Sequence, residues 1–389
     1  MYLEIVIDRL FLNRLGLSSR SCLSLTYWLT GPNFIIPESY YRELIVKRQF
    51  ENRLFYSTSK TNTADLGSEG SKTRLEVGTP YCKIVEGESS AYKLDPFYVT
   101  GFADAESSFV VSISKVNWND IGWQVTPSFS IEIHLKDLAL LKKIQSFFGV
   151  GTIRLNEKNY TVIYSVRSHS HLINVIIPHF IKYPLLTQKR ADYELFKQVV
   201  ELMANKQHLT TEGFHKILGI RASINNGLPP RLREAFPDIK PVERPPVEFK
   251  GIVNPYWVSG FVEGEGCFAV GIQDSKKTRT GSLVSLRFKI SQHSRDRLLI
   301  KSFIDYFGCG IYYERISEDE FVVTKISDVV EKIIPFFDAH PLQGNKALDY
   351  ADFRTATEII KNRGHLTEEG LEQLQKIKVG MNTGRTTKL

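Results

Sequence analysis

Between Phe109 and Lys115 the side chains alternate. Phe109, Val111 and Ile113 fall on one side, and Val110, Ser112 and Ser114 on the other. A period of two predicts a strand with one covered face. Residues 283–291 alternate more cleanly. Val284, Leu286, Phe288 and Ile290 face one way; Leu283, Ser285, Arg287, Lys289 and Ser291 face the other. Such a strand belongs to an antiparallel sheet with one buried face and one wet, mostly polar and basic face. Elsewhere the apolar spacing is helical, over Asp137–Phe148 and again over Arg295–Phe307. Pro96 and Pro255 suit the first turn of a helix, where a missing N–H costs nothing. The helices they open are expected to run to about Ala105 and Gly264. Two further strands follow in each region, at about 151–166 and 310–324, and then another helix. The order αββαββα therefore occurs twice, each time with extra C-terminal helices. The predicted class is α+β.

The recurrence extends to individual residues. Ile176-Ile177-Pro178 matches Ile333-Ile334-Pro335, Pro184-Leu185 matches Pro341-Leu342, and His208-Leu209-Thr210 matches His365-Leu366-Thr367. Lys189, Asp192, Tyr193 and Phe196 match Lys346, Asp349, Tyr350 and Phe353 at the same offset, 157 residues. Upstream the offset is 159, where Phe147 to Gly151 matches Tyr306 to Gly310 and residues 96–109 match 255–268. The chain is thus read as two pseudo-symmetric half-domains, 94–224 and 254–389. Residues 225–253 carry Pro229-Pro230 and Pro245-Pro246 and read as a linker with a short helix at Arg231 to Phe236.

The first 93 residues read differently. Residues 9–37 hold Arg9, Arg14, Arg20 and several serines but no acid, as in a mitochondrial transit peptide. The run from Arg53 to Ser57 resembles a site where such peptides are trimmed. Glu4, Asp8 and the acids from Glu38 onward suit an upstream reading frame fused to the rest equally well. Residues 1–56 are taken as this leader, and 57–93, rich in Ser, Thr, Gly and charge, as a flexible linker. A net charge of +7 and a pI of about 9.0 suit a polyanionic partner without requiring one. Cys22, Cys82, Cys267 and Cys309 lack metal-ligand spacing. No apolar run approaches the roughly 18 residues needed to span a bilayer, so no membrane partner is expected.

Two glycines and four acids remain to be explained. Gly101 and Gly260 lie inside predicted helices, where glycine costs about 1 kcal/mol relative to alanine. Close packing of the two helices against each other would compensate. Each helix ends in acids, Asp104 and Glu106 in one, Glu263 and Glu265 in the other. Carboxylates there oppose the helix dipole. Two such ends brought together would repel, and a divalent cation would relieve the conflict.

The segments Val99 to Ser107 and Val258 to Gly266 resemble the LAGLIDADG motif. The resemblance spans residues 94–389 and is nearest to the single-chain, two-motif homing endonucleases encoded in fungal mitochondrial introns. It implies a monomer whose halves join at the paired motif helices, each half with a DNA-binding sheet. The family's catalytic carboxylate falls on Glu106 and Glu265. The carbonyls of Ala105 and Gly264 become further ligands for Mg²⁺. Asp104 and Glu263 are expected as structural hydrogen-bond acceptors. Lys325 matches the family's basic position near the scissile phosphate, and Arg167 is its loose counterpart. Contacts to bases are expected from Ser112, Ser114, Lys115, Asn117 and Gln124 in one half, and Gln273, Lys276, Ser285, Arg287 and Lys289 in the other. The implied activity is double-strand cleavage of a long asymmetric DNA site in mitochondria, promoting group I intron mobility. The alternative within the same fold is a maturase that binds group I intron RNA without cutting DNA.

Ser107 departs from the motif. The ninth position is usually glycine, as Gly266 is; a positive φ there would strain serine and displace the first site. Three other features are discounted. Gly310-Ile311-Tyr312-Tyr313 resembles the start of a GIY-YIG nuclease, but no Tyr-Ile-Gly partner follows. His169 and His171 have no counterpart in the second repeat. No phosphate-binding Gly-Lys-Ser/Thr loop is present.

Overall fold

The computed structural model describes residues 94–385; the leader, the linker of 57–93, Cys22 and Cys82 lie outside them. The first half opens with α1 (Pro96–Glu106), followed by β1 (Ser107–Lys115), β2 (Trp123–His134), α2 (Leu138–Phe148), β3 (Thr152–Asn156) and β4 (Thr161–Val166). A helix α3 then runs through His169–His171, a wide π-turn at Leu172–Ile176, and Ile177–Lys182. The π-turn precedes Pro178, whose ring would clash with the carbonyl one ordinary turn back. Then come α4 (Lys189–Ala204), α5 (Thr211–Ser223) and α6 (Pro230–Ala235).

The second half repeats the order. It comprises α7 (Pro255–Glu265), β5 (Gly266–Asp274), β6 (Ser282–His293), α8 (Arg297–Phe307), β7 (Ile311–Tyr313) and β8 (Glu318–Val323). It continues with α9 (Ile326–Asp328, π-turn Val329–Ile333, Ile334–Ala339), α10 (Lys346–Lys361) and α11 (Glu368–Gly380). Each half has a four-stranded antiparallel sheet, ordered β1-β2-β4-β3 and β5-β6-β8-β7. The α+β, αββαββα reading holds for both, with element ends within two residues of expectation where the two motif helices and α2 and α8 are concerned.

Each sheet covers its apolar face with helices. Phe109 and Phe268 lie at equivalent core positions, 5.3 Å from Phe129 and 5.0 Å from Phe288 across the strand pair. The segment 225–253 packs against its own half rather than hanging free. Val242 N–H donates to Gly219, Ser223 Oγ donates to the Val242 carbonyl, and Arg244 pairs with Asp192 at 2.8 Å.

The halves meet where α1 crosses α7. A Cβ added to Gly101 would lie 2.0 Å from the Trp257 carbonyl oxygen, and one on Gly260 would lie 2.0 Å from that of Tyr98. Backbone touches backbone, so neither neighbour can yield. Four residues on, Ala105 has a Cβ and its counterpart Gly264 does not; a Cβ there would come within 2.4 Å of Ala105 Cβ. Only one of that pair can carry a methyl group.

The concern about Ser107 is answered by its backbone. Ser107 has φ −85° and Gly266 φ −83°, both extended, so the ninth position needs no positive φ. What glycine supplies in the second half is room. A Cβ on Gly266 would lie 2.4 Å from Val262 Cγ1. In the first half Ala103 replaces that valine, and Ser107 Oγ uses the space to donate to the Ala103 carbonyl at 2.6 Å. The residue that leaves the helix and the helical residue four before it thus differ together between the copies, Ala103 with Ser107 and Val262 with Gly266.

Gly101→Ala or Gly260→Ala is expected to lower stability by about 3 kcal/mol or more, beyond ordinary overpacking. Gly266→Ala should cost about 1–3 kcal/mol and recover most of it when combined with Val262→Ala. Denaturant melts of the single and double variants measure both; additivity at 262 and 266 would contradict this packing.

Candidate active site

The ends of α1 and α7 bring four carboxylates together, and the two types differ. Asp104 and Glu263 are buried and fully engaged. Asp104 accepts from the Leu186 and Thr187 amides, the Thr187 hydroxyl and, across the interface, Trp257 Nε1 at 2.9 Å. Glu263 accepts from the Gln343 and Gly344 amides and from Tyr98 Oη at 2.8 Å, again across the interface. The two cross-bonds are mates under the internal repeat. Burial raises the Asp104 carboxyl, and its hydrogen bonds pull it back.

Glu106 and Glu265 are half-buried and point into an open cavity of about 1180 Å³, also lined by Lys189, Gln292, Arg295 and Asp296. Glu106 lies against the opposite helix end, its Oε1 3.0 Å from where a Gly264 Cβ would be. Burial pushes the Glu265 carboxyl up to about 7, and the charge of Glu106 adds to the rise. Burial also raises Glu106, opposed by Lys189 and Lys346. Gln292 Nε2 donates to Glu265 Oε1 at 3.1 Å. The equivalent position in the first half is Ile133, so Glu106 has no such amide.

Two half-buried lysines hold the helix ends. Lys189 Nζ donates to the carbonyls of Ala103 at 3.0 Å and Ala105 at 3.1 Å. Lys346 Nζ donates to Val262 at 2.9 Å, Gly264 at 2.9 Å and Gly266 at 2.6 Å. An ammonium at a helix C-terminus satisfies orphan carbonyls and opposes the dipole. The conflict expected between acids and dipole is therefore relieved in part by the chain's own cations. Burial lowers Lys189 to about 8, although Asp104, Glu106 and Glu265 pull it upward. Lys346 is lowered by burial in the same way.

The other predicted residues fall as follows. Lys325 and Arg167 are exposed at the ends of β8 and β4 and do not line the cavity. The register explains why. Phe321 is level with Ile290 and hence with Gly266, so Lys325 lies four residues farther along, on the order of 13 Å. The cations beside the glutamates are Lys189 and Lys346, which sequence reasoning had noted only as matched repeat positions. Gln292 and Arg295 carried no signal. On the open sheet faces Ser112, Ser114, Gln124, Gln273, Ser285 and Arg287 are exposed and Lys289 is half-buried; Lys115 is exposed at the end of β1, and Asn117 and Lys276 are exposed in the connections that follow β1 and β5. Arg287, Lys289 and Arg315 all pair with Glu320, at 3.4, 3.0 and 3.1 Å. The Glu320 counterpart in the first half is Ile163, so the two faces differ in charge as well as sequence.

Comparison with known proteins agrees with this geometry. The family model for LAGLIDADG endonucleases matches residues 99–200 and 258–357, one match per half. The chain belongs to the LAGLIDADG endonuclease family. It is similar to probable intron-encoded endonuclease 2 of Neurospora crassa, 44% identical over 299 residues, covering 73% of this chain and 64% of that one. It is 38% identical to probable intron-encoded endonuclease 3 of the same fungus, covering 54% of it. The chain thus matches less than two thirds of the length of these two curated relatives. Among solved structures, the I-SmaMI homing endonuclease bound to cleaved DNA superimposes with a TM-score of 0.74 at 42% identity, covering 76% of this chain and 99% of that one. The same relative has been solved on uncleaved target with calcium ions present. The family match accounts for the paired motif helices and the two-sheet α+β architecture.

The carboxyl shifts set a pH dependence. Glu265 holds its proton more tightly folded than unfolded, so metal-free stability falls as pH rises from 4.5 to about 7. Lys189 acts in a separate window, from about 8 to 10.5, where the unfolded chain binds more protons and stability rises with pH. In EDTA, the Tm of the wild type should decline between pH 5 and 7 more than that of Glu265→Gln. Added Ca²⁺ should raise the wild-type Tm more at pH 8 than at pH 5, because the ligands must be ionised. Parallel profiles for the two proteins would contradict the assignment.

Proposed function

We propose that this chain is a monomeric, divalent-metal-dependent endonuclease that hydrolyses one phosphodiester on each strand of a long, asymmetric double-stranded DNA site. The observation that carries this reading is the pair Glu106 and Glu265, placed together at the ends of α1 and α7 in an open cavity, at the points where β1 and β5 leave those helices. Two carboxylates driven upward by burial, Glu265 further by the charge of Glu106, suit a hard cation such as Mg²⁺. Among the described residues no three His, Cys, Asp or Glu side chains are placed to hold one metal ion, so water, DNA phosphates and carbonyl oxygens would complete its shell. The carbonyls of Ala105 and Gly264 already accept from lysines, but each oxygen has a second lone pair. When bound, the ion supplies a more acidic water and charge for the leaving oxygen.

The chain's own residues do the rest. Glu106 and Glu265 hold the cation and orient water; Gln292 fixes the Glu265 carboxylate. Lys346 uses all three donors on carbonyls and acts through its charge. Lys189 uses two, leaving one N–H for a phosphate oxygen. In this reading Lys189 and Lys346, not Lys325 and Arg167, supply the positive charge near the scissile phosphates. The sheets would enter the major groove through the polar rows ending in Gln124, Gln273 and Arg287, with unlike half-sites because the rows are unlike. Relatives named as intron-encoded endonucleases support a role in group I intron mobility. A 26% identical relative named as a mitochondrial protein of Saccharomyces cerevisiae supports a mitochondrial setting. The extended backbone at Ser107 removes the strain that favoured an RNA maturase with an impaired first site.

Glu106→Gln and Glu265→Gln should each slow cleavage of a target duplex in Mg²⁺ by at least about 100-fold while leaving binding in Ca²⁺ unchanged. Lys189→Ala should slow cleavage by a similar factor, and Lys325→Ala by less than about threefold. Cleavage that survives Glu265→Gln would overturn the reading.

A further inference from the structure

Asp137 and Asp296 stand at the same place in the two repeats, immediately before α2 and α8. Neither side chain caps its own helix. Instead each reaches across to the other half. Asp296 Oδ1 accepts from the Gln188 amide at 2.7 Å, and Asp137 Oδ1 accepts from the Asn345 amide at 2.7 Å. Gln188 and Asn345 are the N-cap residues of α4 and α10 and make no side-chain cap of their own. The first residues of those helices are Lys189 and Lys346.

A helix N-terminus has orphan N–H groups, and a carboxylate there gains from both the hydrogen bond and the dipole. Asp296 is 5% exposed, so its bond works with little water to compete. Asn345 adds a side-chain bond to the Lys136 carbonyl, and Lys143 Nζ reaches the Gln343 carbonyl at 3.2 Å. The residues just before each lysine helix are held by their own half, through Asp104 and Glu263, but the N-cap amide itself is held by the other half.

We infer that Asp137 and Asp296 are positioning residues that set the two active-site lysines in trans: Asp296 of the second half places Lys189, and Asp137 of the first half places Lys346. The inference rests on the nuclease reading for its catalytic consequence, but the placement itself can be tested without cleavage. The arrangement makes each cleavage centre a composite of both halves. A half that shifts on its DNA half-site moves the lysine serving the other centre.

The test uses the full chain and a target duplex labelled separately on each strand. Lys189→Ala and Lys346→Ala first identify which strand depends on which lysine. Asp296→Ala should slow the Lys189-dependent strand about tenfold more than the other, and Asp137→Ala should do the reverse. Asp296→Asn and Asp137→Asn keep the acceptor oxygen and should restore near-normal strand balance. Gln188→Pro deletes the amide donor, at a φ of −59° that proline adopts, together with the side-chain bond to the Val247 carbonyl, and should reproduce the Asp296→Ala bias, whereas Gln188→Ala, which loses only the side-chain bond, should not. Equal slowing of both strands, or asparagine variants as impaired as the alanines, would overturn the inference. Hydrogen exchange on the DNA-free chain gives an independent readout. Asp296→Ala should speed exchange in the peptide that begins α4 and leave the α10 peptide unchanged; uniform acceleration, or none, would also overturn it. A wild type that cuts neither strand would count against the nuclease reading, and the exchange result would then decide the positioning claim alone.

Discussion

Where α1 crosses α7 there is space for a hydrogen atom on each Cα and for nothing larger. Gly101 faces the Trp257 carbonyl and Gly260 faces that of Tyr98, and a Cβ at either would fall 2.0 Å from an oxygen. This contact fixes the distance between the two helices and therefore between their C-terminal ends. The sheets follow from it: β1 leaves α1 at Ser107 and β5 leaves α7 at Gly266, so the strands that present the polar faces are attached to the crossing. The same crossing is tied by Tyr98 to Glu263 and by Trp257 to Asp104, each bond running from one half to the other. A helix interior accepts the cost of glycine here because the two backbones pack against each other.

Bringing two acidic helix ends together creates an electrostatic problem that the structure solves unequally. Asp104 and Glu263 are neutralised by amide and hydroxyl donors and belong to the scaffold. Glu106 and Glu265 are left half-buried at the cavity, both raised by burial and Glu265 further by the charge of Glu106. Lys189 and Lys346 relieve the helix dipoles but spend most of their N–H groups on carbonyls. What remains is a pair of carboxylates short of positive charge, opening into the cavity at the helix ends. In the proposed reading a divalent cation, bound together with DNA, would supply that positive charge.

Much of this was legible in the sequence because it was written twice. Two offsets mark both halves, both motif helices and both glutamates, and alternation in β1 and β6 marks the open face. The site's cations were harder to see. Lys189 and Lys346 sit about 80 residues beyond the glutamates, and only the fold shows that α4 and α10 start at the ends of α1 and α7. Lys325 matches the family's basic position by resemblance alone, and strand register carries it away from the centre. Ser107 was misjudged for a related reason: the motif's glycine was read as a demand on φ, whereas it answers to the size of Val262. Cross-half bonds such as Asp296 to Gln188 join residues whose proximity no periodicity encodes.

The central claim is that both paired glutamates work, despite the unlike surroundings of Glu106 and Glu265. Its most direct test is to incubate the chain with a supercoiled plasmid carrying the intronless form of its host gene, in Mg²⁺ and separately in Ca²⁺. The account predicts linear plasmid in Mg²⁺ and bound, uncut plasmid in Ca²⁺. Nicked circles that persist in Mg²⁺ would show that one centre is impaired, and binding without any cutting in Mg²⁺ would contradict the account.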